Sequence, residues 1–229
     1  MMLEDGTLEH AGQFLQADAG VFPNYAFVRE LRRQLNSDEG TIVRWATHEN
    51  SVLRDIYEQL AEDPQAPQDK AELQAFILDI TSEGKRIGRR AMVDLCKLAE
   101  HHYFHPSTKG GCSIKKVLPA VFGSCPRLRA KYSRPEYGSP GGIPSLNFKD
   151  WAWWRLDPSG RAPCDPYSLL PLVSHDPAAA DAGDTDARGE PDGDEELANG
   201  GAAMAAYARM QFEKLDNDER QRLAGALLK

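Results

Sequence analysis

The chain has 229 residues, 41% of them hydrophobic and 8% aromatic, which is enough apolar material for one large or two small globular domains. Its formal net charge of −8 argues against non-specific coating of DNA by the whole surface, although residues 176–196 alone hold nine acids and one Arg. The four cysteines form no CxxC pair, and neither a secretory signal nor a membrane-spanning apolar stretch is present. These features predict a protein of the reducing cytoplasm with no membrane partner.

The first hundred residues alternate helical and strand-like patterns. Apolar residues at three-and-four spacing predict helices over residues 24–35, 50–60, 71–80 and 92–102. Between the first two helices, the β-branched and aromatic run at 41–46 is the best strand candidate. This alternation predicts an α/β fold with a sheet covered by helices.

The second half of the chain changes composition several times. Ser113 is predicted to cap a helix that Pro119 should kink or delay. Residues 123–174 form a Trp/Pro-rich insertion, with a hairpin turn expected from Asp157 to Gly160. Residues 175–199 are predicted to be an acidic disordered linker, and residues 200–229 to form two closing helices with caps among residues 216–218.

Positive charge is concentrated between Lys85 and Arg134. This stretch holds twelve Lys or Arg residues and two acids, so it carries about ten positive charges in a chain that is acidic overall. Such a concentration favours binding of a polyanion such as nucleic acid. The cations selected as phosphate ligands are Arg89, Arg90, Lys109, Lys115 and Lys116.

Two acids near this stretch are candidates for metal or catalytic chemistry. Glu49 follows the strand candidate and precedes a helix, at the edge where α/β proteins bind ligands, and its carboxylate suits Mg²⁺. The alternative is that Glu49 is a first-turn acid stabilised by the helix dipole. Asp94 is either a metal ligand or orienting group, or the ion-pair partner of Arg90.

The run from Pro106 to Gly111, followed by Ser113 and a helix, has the composition of a phosphate-binding loop without the order of a P-loop. The competing interpretation is an ordinary loop beside a solvated basic face. The nearby histidines and Cys112 lack the spacing of a zinc site. Trp151, Trp153 and Trp154 are expected to form the core of their own hairpin or an interface rather than a base-stacking platform.

Several segments together resemble a known family. They include TIVRWATHENSVLRDI, RRAMVDL, YFHPSTKGGCSIKKVLPAVF and IPSLNFKDWAWW, and they are similar to a prokaryotic domain-of-unknown-function family, number 2779. Its members look like DEDD exonucleases of the ribonuclease-H-like superfamily and often accompany RecB-like nuclease modules. The resemblance extends over nearly the whole chain except the acidic linker.

The resemblance implies a partial ribonuclease-H-like core over residues 1–122, completed by the closing helices after the Trp/Pro-rich insertion. It implies a metal-dependent 3′-5′ exonuclease with Mg²⁺ or Mn²⁺, in which Glu49 is a catalytic metal ligand and Asp94 a supporting acid. The Asp-x-Glu of the first strand and the late Asp of such enzymes are not found in the sequence. We therefore expect little hydrolysis by this chain alone, and a non-catalytic nucleic-acid-binding or protein-interaction module is the alternative.

Overall fold

Eight α-helices and four two-residue strands form a mixed α/β arrangement in the residues that the computed structural model describes, which are 1–3, 5–157, 159–160, 163–170 and 200–228. The helices are α1 (Asn24–Leu35), α2 (His48–Glu62), α3 (Lys70–Ile80), α4 (Leu95–His102), α5 (Ile114–Ser124), α6 (Pro126–Tyr132), α7 (Gly200–Phe212) and α8 (Asn217–Leu227). The strands are β1 (Val43–Arg44), β2 (Ser82–Glu83), β3 (Arg86–Ile87) and β4 (Val93–Asp94). The predicted acidic linker, 175–199, lies outside the described residues.

The chain divides into two units, residues 22–114 and residues 1–21 together with 115–229. The division falls at the first residue of α5, so almost all of this helix belongs to the second unit. The predicted core, 1–122, therefore contributes segments to both units, and the closing helices belong with residues 1–21.

In the unit of residues 22–114, helices α1, α2 and α3 bury one apolar face each. Side chains from the three helices, among them Val28, Ile56 and Ile77, are almost completely excluded from solvent and pack as a single cluster. Burial of each such side chain contributes roughly 1.5–3 kcal/mol. The 3.6-residue periodicity that predicted the three helices thus also identified the core of this unit.

The strand prediction at 41–46 was too long. Only Val43 and Arg44 pair, in parallel, with Val93 and Asp94. The pairing ends because Ala46 takes a left-handed conformation at φ 68° and because α4 begins directly after Asp94. Because Val93 and Asp94 form β4, the helix predicted over 92–102 begins only at Leu95.

The second sheet is a small antiparallel hairpin formed by β2 and β3. Its turn contains Gly84, at φ 56°, and the exposed Lys85. The hairpin is attached to α2 by the Asn50 side-chain amide, which donates to Ser82 O at 3.0 Å and accepts from Ser82 N at 2.9 Å.

In the other unit, α7 and α8 form a second small core. Met210 and Leu223 are buried there, and Ala17 from the first residues of the chain packs against them. Asp216 caps α8 by accepting a hydrogen bond from Glu219 N at 2.7 Å, which confirms the predicted cap. Arg220 donates to the carbonyls of Ala17 and Met210 at 2.9 and 2.8 Å.

The Trp/Pro-rich insertion is held by isolated bridges and ring contacts. Tyr137 pairs with Trp151 through two backbone hydrogen bonds of 3.2 and 2.9 Å. Phe148, Trp151 and Trp153 contact one another with centroids 5.0 to 5.8 Å apart. The expected turn is present, since Gly160 N donates to Asp157 O at 2.8 Å. Trp151 and Trp153 are half-buried and pack within their own segment, which agrees with the first of the two predicted roles, hairpin core or interface.

Candidate nucleic-acid interface

The carboxyl ends of β1 and β4 meet because the two strands are parallel and adjacent. Arg44 and Asp94 are register partners on one side of this pair, whereas Val43 and Val93 are exposed on the other. The segment after β1 leads into α2, and the segment after β4 is α4 itself. We call this region, residues 45–49 with 94–97, the β1–β4 edge.

One carboxylate oxygen of Asp94 is occupied by backbone amides of the fold. Its Oδ1 accepts hydrogen bonds from Cys96 N at 3.0 Å, Lys97 N at 3.3 Å and Ala46 N at 3.1 Å. It therefore caps α4 and fixes the backbone after β1 at the same time. The carboxylate is adapted to structural contacts rather than to a metal ion.

The ion partner of Asp94 is Arg44, not Arg90. Arg44 Nη1 lies 3.3 Å from Asp94 Oδ2, and both side chains are more than nine-tenths buried. Neither of these two atoms has an aligned hydrogen bond, so the contact is an ion pair held by charge alone. Removal of either side chain would leave the other charge buried without a counter-charge, which is strongly destabilising.

Glu49 is exposed in the first turn of α2. Its carboxylate forms no ion pair with any residue that the structure describes, and the next residue, Asn50, anchors the helix start to Ser82. Glu49 is therefore an available oxygen ligand on a rigid element at the β1–β4 edge. Its position is equally that of an acid favoured by the helix dipole.

The residues at this edge do not form a two-metal centre. Within the described part of the chain, no three His, Cys, Asp or Glu side chains are grouped so as to hold a metal ion. Glu49 offers one carboxylate and Asp94 is neutralised by Arg44. A single carboxylate leaves Mg²⁺ mostly hydrated, so we assign no hydrolytic step to these residues.

Two of the predicted phosphate ligands are engaged elsewhere. Arg89 pairs with Glu39 at 3.0 Å and with Asp79 at 3.3 Å. The side chain of Arg90 is 8% exposed, and it donates to two backbone carbonyls at 2.8 and 3.0 Å. Arg90 therefore stabilises the end of α1 and the segment that follows it, and its guanidinium does not face solvent.

In the candidate phosphate-binding loop, residues 106–111, most backbone N–H groups already donate hydrogen bonds to neighbouring residues. It contains a 3-10 turn over Pro106–Thr108, after which Lys109 N donates to Pro106 O at 3.2 Å and Gly111 N to Thr108 O at 2.9 Å. Lys109 and Gly110 both have positive φ, and Lys109 is exposed. The loop thus offers the charge of Lys109 to an anion but not an open row of N–H groups.

This loop reaches the β1–β4 edge through Trp45. The indole Nε1 of Trp45 donates to Cys112 O at 3.2 Å. Ser113 does not cap α5 as predicted, because its Oγ is buried without a hydrogen-bond partner. Pro119 lies inside α5, which continues through it to Ser124.

The segment of α5, α6 and the two residues after α6, 114–134, is basic throughout. We call it the α5–α6 basic segment. It contains no acid and six cations, which are Lys115, Lys116, Arg127, Arg129, Lys131 and Arg134. Lys115 and Lys116 are half-buried in α5, whereas Arg127 and Arg134 are exposed. Neither of these two arginines forms an ion pair with a described residue. Neither was among the cations selected from the sequence, although both lie in the basic stretch and the lack of any acid between Glu100 and Glu136 was a signal for them.

The α5–α6 basic segment is held by aromatic contacts. The rings of Phe122 and Tyr132 lie 5.6 Å apart, so the end of α5 contacts the end of α6. Tyr132 in turn lies 6.4 Å from Tyr137, which contacts Trp153 at 5.8 Å. The basic helices are thereby packed on the tryptophan cluster of the insertion.

Comparison with known proteins gives one family match. Residues 1–113, just under half of the chain, match a family model described as Domain of unknown function (DUF2779). Over these residues, the match supports the family part of the resemblance seen in the sequence. No curated protein and no solved structure matched the chain. No helix in the described residues has the length and apolar character needed to cross a membrane.

Proposed function

We propose that this chain binds the phosphate backbone of a nucleic acid through the α5–α6 basic segment, as part of a nuclease-like protein. The observation that carries the proposal is the concentration of six cations without one acid over residues 114–134 of a chain with net charge −8. Clustered cations release counterions from a polyanion when they bind it, which drives association.

Within this segment the two exposed arginines support the proposal most strongly. Arg127 lies in the first turn of α6, and Arg134 follows the end of that helix. Lys131 contributes less, since it lies 3.5 Å from Glu136. A guanidinium can donate two parallel hydrogen bonds to one phosphate, so Arg127 and Arg134 are suited to backbone contacts.

We further propose that metal-dependent 3′-5′ exonuclease-type hydrolysis, in a ribonuclease-H-like fold, is an activity of the complete protein and uses Glu49 as one ligand of Mg²⁺ or Mn²⁺. The exposed carboxylate at the β1–β4 edge supports this role. Further carboxylates are required in addition to Glu49, and a RecB-like nuclease module is the partner that the resemblance implies. The engagement of Asp94 with Arg44 instead favours the second candidate, nucleic-acid binding without catalysis.

Neutralising the two exposed arginines should weaken nucleic-acid binding. For Arg127→Gln/Arg134→Gln we expect a loss of affinity of about tenfold or more for a labelled single-stranded oligonucleotide at low salt. The slope of log affinity against log salt should fall by about 1.4, since each lost phosphate contact on a single strand removes about 0.7. Fluorescence anisotropy over a salt series, with DNA and RNA oligonucleotides of one sequence, measures both quantities.

The matched control is Lys85→Gln/Arg86→Gln, which removes the same charge from the exposed β2–β3 hairpin of the other unit. This variant should keep the salt slope of the unmodified chain. If both double variants weakened binding equally, binding would depend on the net charge of the chain and not on the α5–α6 basic segment. Absence of any affinity at low salt would overturn the proposal and favour a protein-interaction role for the tryptophan-rich insertion.

Replacing Glu49 should remove a weak metal site without changing the fold. We expect the unmodified chain to bind Mn²⁺ weakly, Glu49→Gln to lose that binding, and neither protein to cleave nucleic acid on its own. Titration of the free Mn²⁺ signal by electron paramagnetic resonance measures binding, and gel analysis of end-labelled oligonucleotides measures cleavage.

Asp55→Asn is the control for this experiment, because Asp55 is an exposed carboxylate on the same helix, α2. It should leave Mn²⁺ binding unchanged. If the chain alone cleaves nucleic acid robustly and Glu49→Ala abolishes cleavage, the requirement for additional carboxylates is wrong. If Glu49→Gln binds Mn²⁺ as well as the unmodified chain does, Glu49 is a helix-start acid and not a ligand.

A further inference from the structure

Two of the four cysteines lie in contact in the unit of residues 22–114. Cys96 is in the first turn of α4 and Cys112 in the loop before α5, sixteen positions later. Their sulfur atoms are 3.2 Å apart, and the Cys96 thiol also lies within hydrogen-bond distance, 3.4 Å, of Cys112 O. Both cysteines are free thiols. The wide spacing gave no signal in the sequence, which contains no CxxC motif.

Each cysteine is held in place by contacts that do not involve the other sulfur. The backbone of Cys96 is fixed by its hydrogen bond to Asp94 Oδ1 at 3.0 Å. The backbone of Cys112 is fixed by the hydrogen bond from Trp45 Nε1 at 3.2 Å. The close approach of the sulfurs is therefore set by backbone hydrogen bonds at both cysteines, and a disulfide requires the distance between the sulfurs to shorten from 3.2 Å to about 2.05 Å.

The two thiols differ in their access to solvent. Cys96 is 6% exposed, whereas Cys112 is half-buried and can be reached from solvent. Burial, followed by the hydrogen bond with Cys112, raises the pKa of the Cys96 thiol to about 12. Because Cys96 is both protonated and shielded from solvent, an oxidant in solution meets Cys112 first.

We propose that Cys96 and Cys112 form a reversible disulfide by exchange with a low-molecular-weight disulfide of the glutathione class. In the first step the Cys112 thiolate attacks one sulfur of the small disulfide, whose S–S bond breaks, and one small thiolate leaves. In the second step Cys96 gives its proton to solvent and attacks Cys112 Sγ, which expels the second small thiolate. The two cysteines are oxidised by two electrons, and the small disulfide is reduced to two thiols that take up the two protons.

A soft metal ion is the competing occupant of two adjacent thiols. The described residues place no His, Asp or Glu with this pair in a group of three that could hold a metal. The pair by itself thus matches a dithiol more closely than a metal site. The cross-link would join α4 to the loop that carries Lys109, and it is independent of nucleic-acid binding by the α5–α6 basic segment.

The test uses the purified full chain in a glutathione redox buffer, followed by acid quenching, alkylation and tryptic peptide mapping without reduction. Trypsin separates Cys96 and Cys112 into peptides 91–97 and 110–115, so the disulfide appears as one linked pair of these two peptides. We expect this pair to be the main oxidised product and to disappear on addition of excess reduced glutathione.

Three variants make the assignment specific. Cys112→Ser should lose the linked pair completely. Cys96→Ser should instead accumulate a glutathione adduct on Cys112, because no second thiol is left to displace it. Cys125→Ser/Cys164→Ser removes the other two half-buried cysteines and should leave the linked pair unchanged.

The proposal is overturned if the linked pair does not form while the circular dichroism of the chain is unchanged by the buffer. It is also overturned if pairs that contain Cys125 or Cys164 form as readily as Cys96–Cys112, since proximity would then play no part. Persistence of the glutathione adduct on Cys112 in the unmodified chain would show that Cys96 does not complete the exchange, and would equally reject the disulfide.

Discussion

Asp94→Ala is expected to lower the free energy of unfolding of residues 22–114 by about 3–5 kcal/mol, the range measured when one member of a buried ion pair is removed. The substitution leaves the Arg44 guanidinium buried without its counter-charge. It also removes the acceptor for Cys96 N, Lys97 N and Ala46 N, so α4 loses its cap and the segment after β1 its anchor. Hydrogen exchange of amides in α2 and α3, followed by mass spectrometry, reports the stability of this unit.

Two further variants separate charge from capping. Asp94→Asn keeps an oxygen that can accept the same amide hydrogen bonds but leaves Arg44 unpaired, so it should remain clearly destabilising. Arg44→Met/Asp94→Asn removes both charges and should recover most of the lost stability, because an apolar side chain then replaces the buried cation. Unchanged exchange rates in Asp94→Ala would contradict the structural role and return Asp94 to the candidates for metal chemistry.

Gly138→Ala is expected to destabilise the Trp/Pro-rich insertion by about 4 kcal/mol or more, which places it among the largest effects of single substitutions. Gly138 has φ 69°, and a Cβ atom there would lie 1.9 Å from the backbone oxygen of Phe148. Because the obstacle is backbone, the segments around residues 138 and 148 would have to separate. Loss of the near-ultraviolet circular dichroism of the tryptophan cluster, together with faster hydrogen exchange over residues 134–155, would register the change.

Gly141→Ala isolates the contribution of the positive φ angle. Gly141 has φ 77° but no atom within 4 Å of an added Cβ, so its cost should be confined to about 1–2 kcal/mol. Equal effects of the two substitutions would mean that the close approach at Phe148 is not rigid. Because the insertion supports α6 through Tyr132 and Tyr137, Gly138→Ala should also weaken nucleic-acid binding, whereas Gly141→Ala should not.

The candidate site was predicted from the sequence only in part. Glu49 was predicted at the junction of a strand and a helix, with a first-turn acid as the alternative, and the structure places it in the first turn of α2. Both elements have local signatures, which is why the junction could be located from the sequence. The pairing proposed for Asp94 was with Arg90, its neighbour at helical spacing, but the structure pairs it with Arg44, fifty positions away. Arg89 and Arg90 were chosen for their charge, and their acceptors, including Glu39 and Asp79, lie too far along the chain for spacing to indicate them.

The sequence by itself determined the helices α1, α2, α3 and α8 and the apolar faces they bury, because helical hydrogen bonds and side-chain periodicity both act between residues three or four positions apart. Only the tertiary structure decided that β1 pairs with β4, that Arg44 neutralises Asp94, that Cys96 lies against Cys112 and that nearly all of α5 belongs with the second unit. These contacts join residues from sixteen to fifty positions apart or divide the chain between two cores. Their formation depends on the packing of whole elements, which no local pattern of residues encodes.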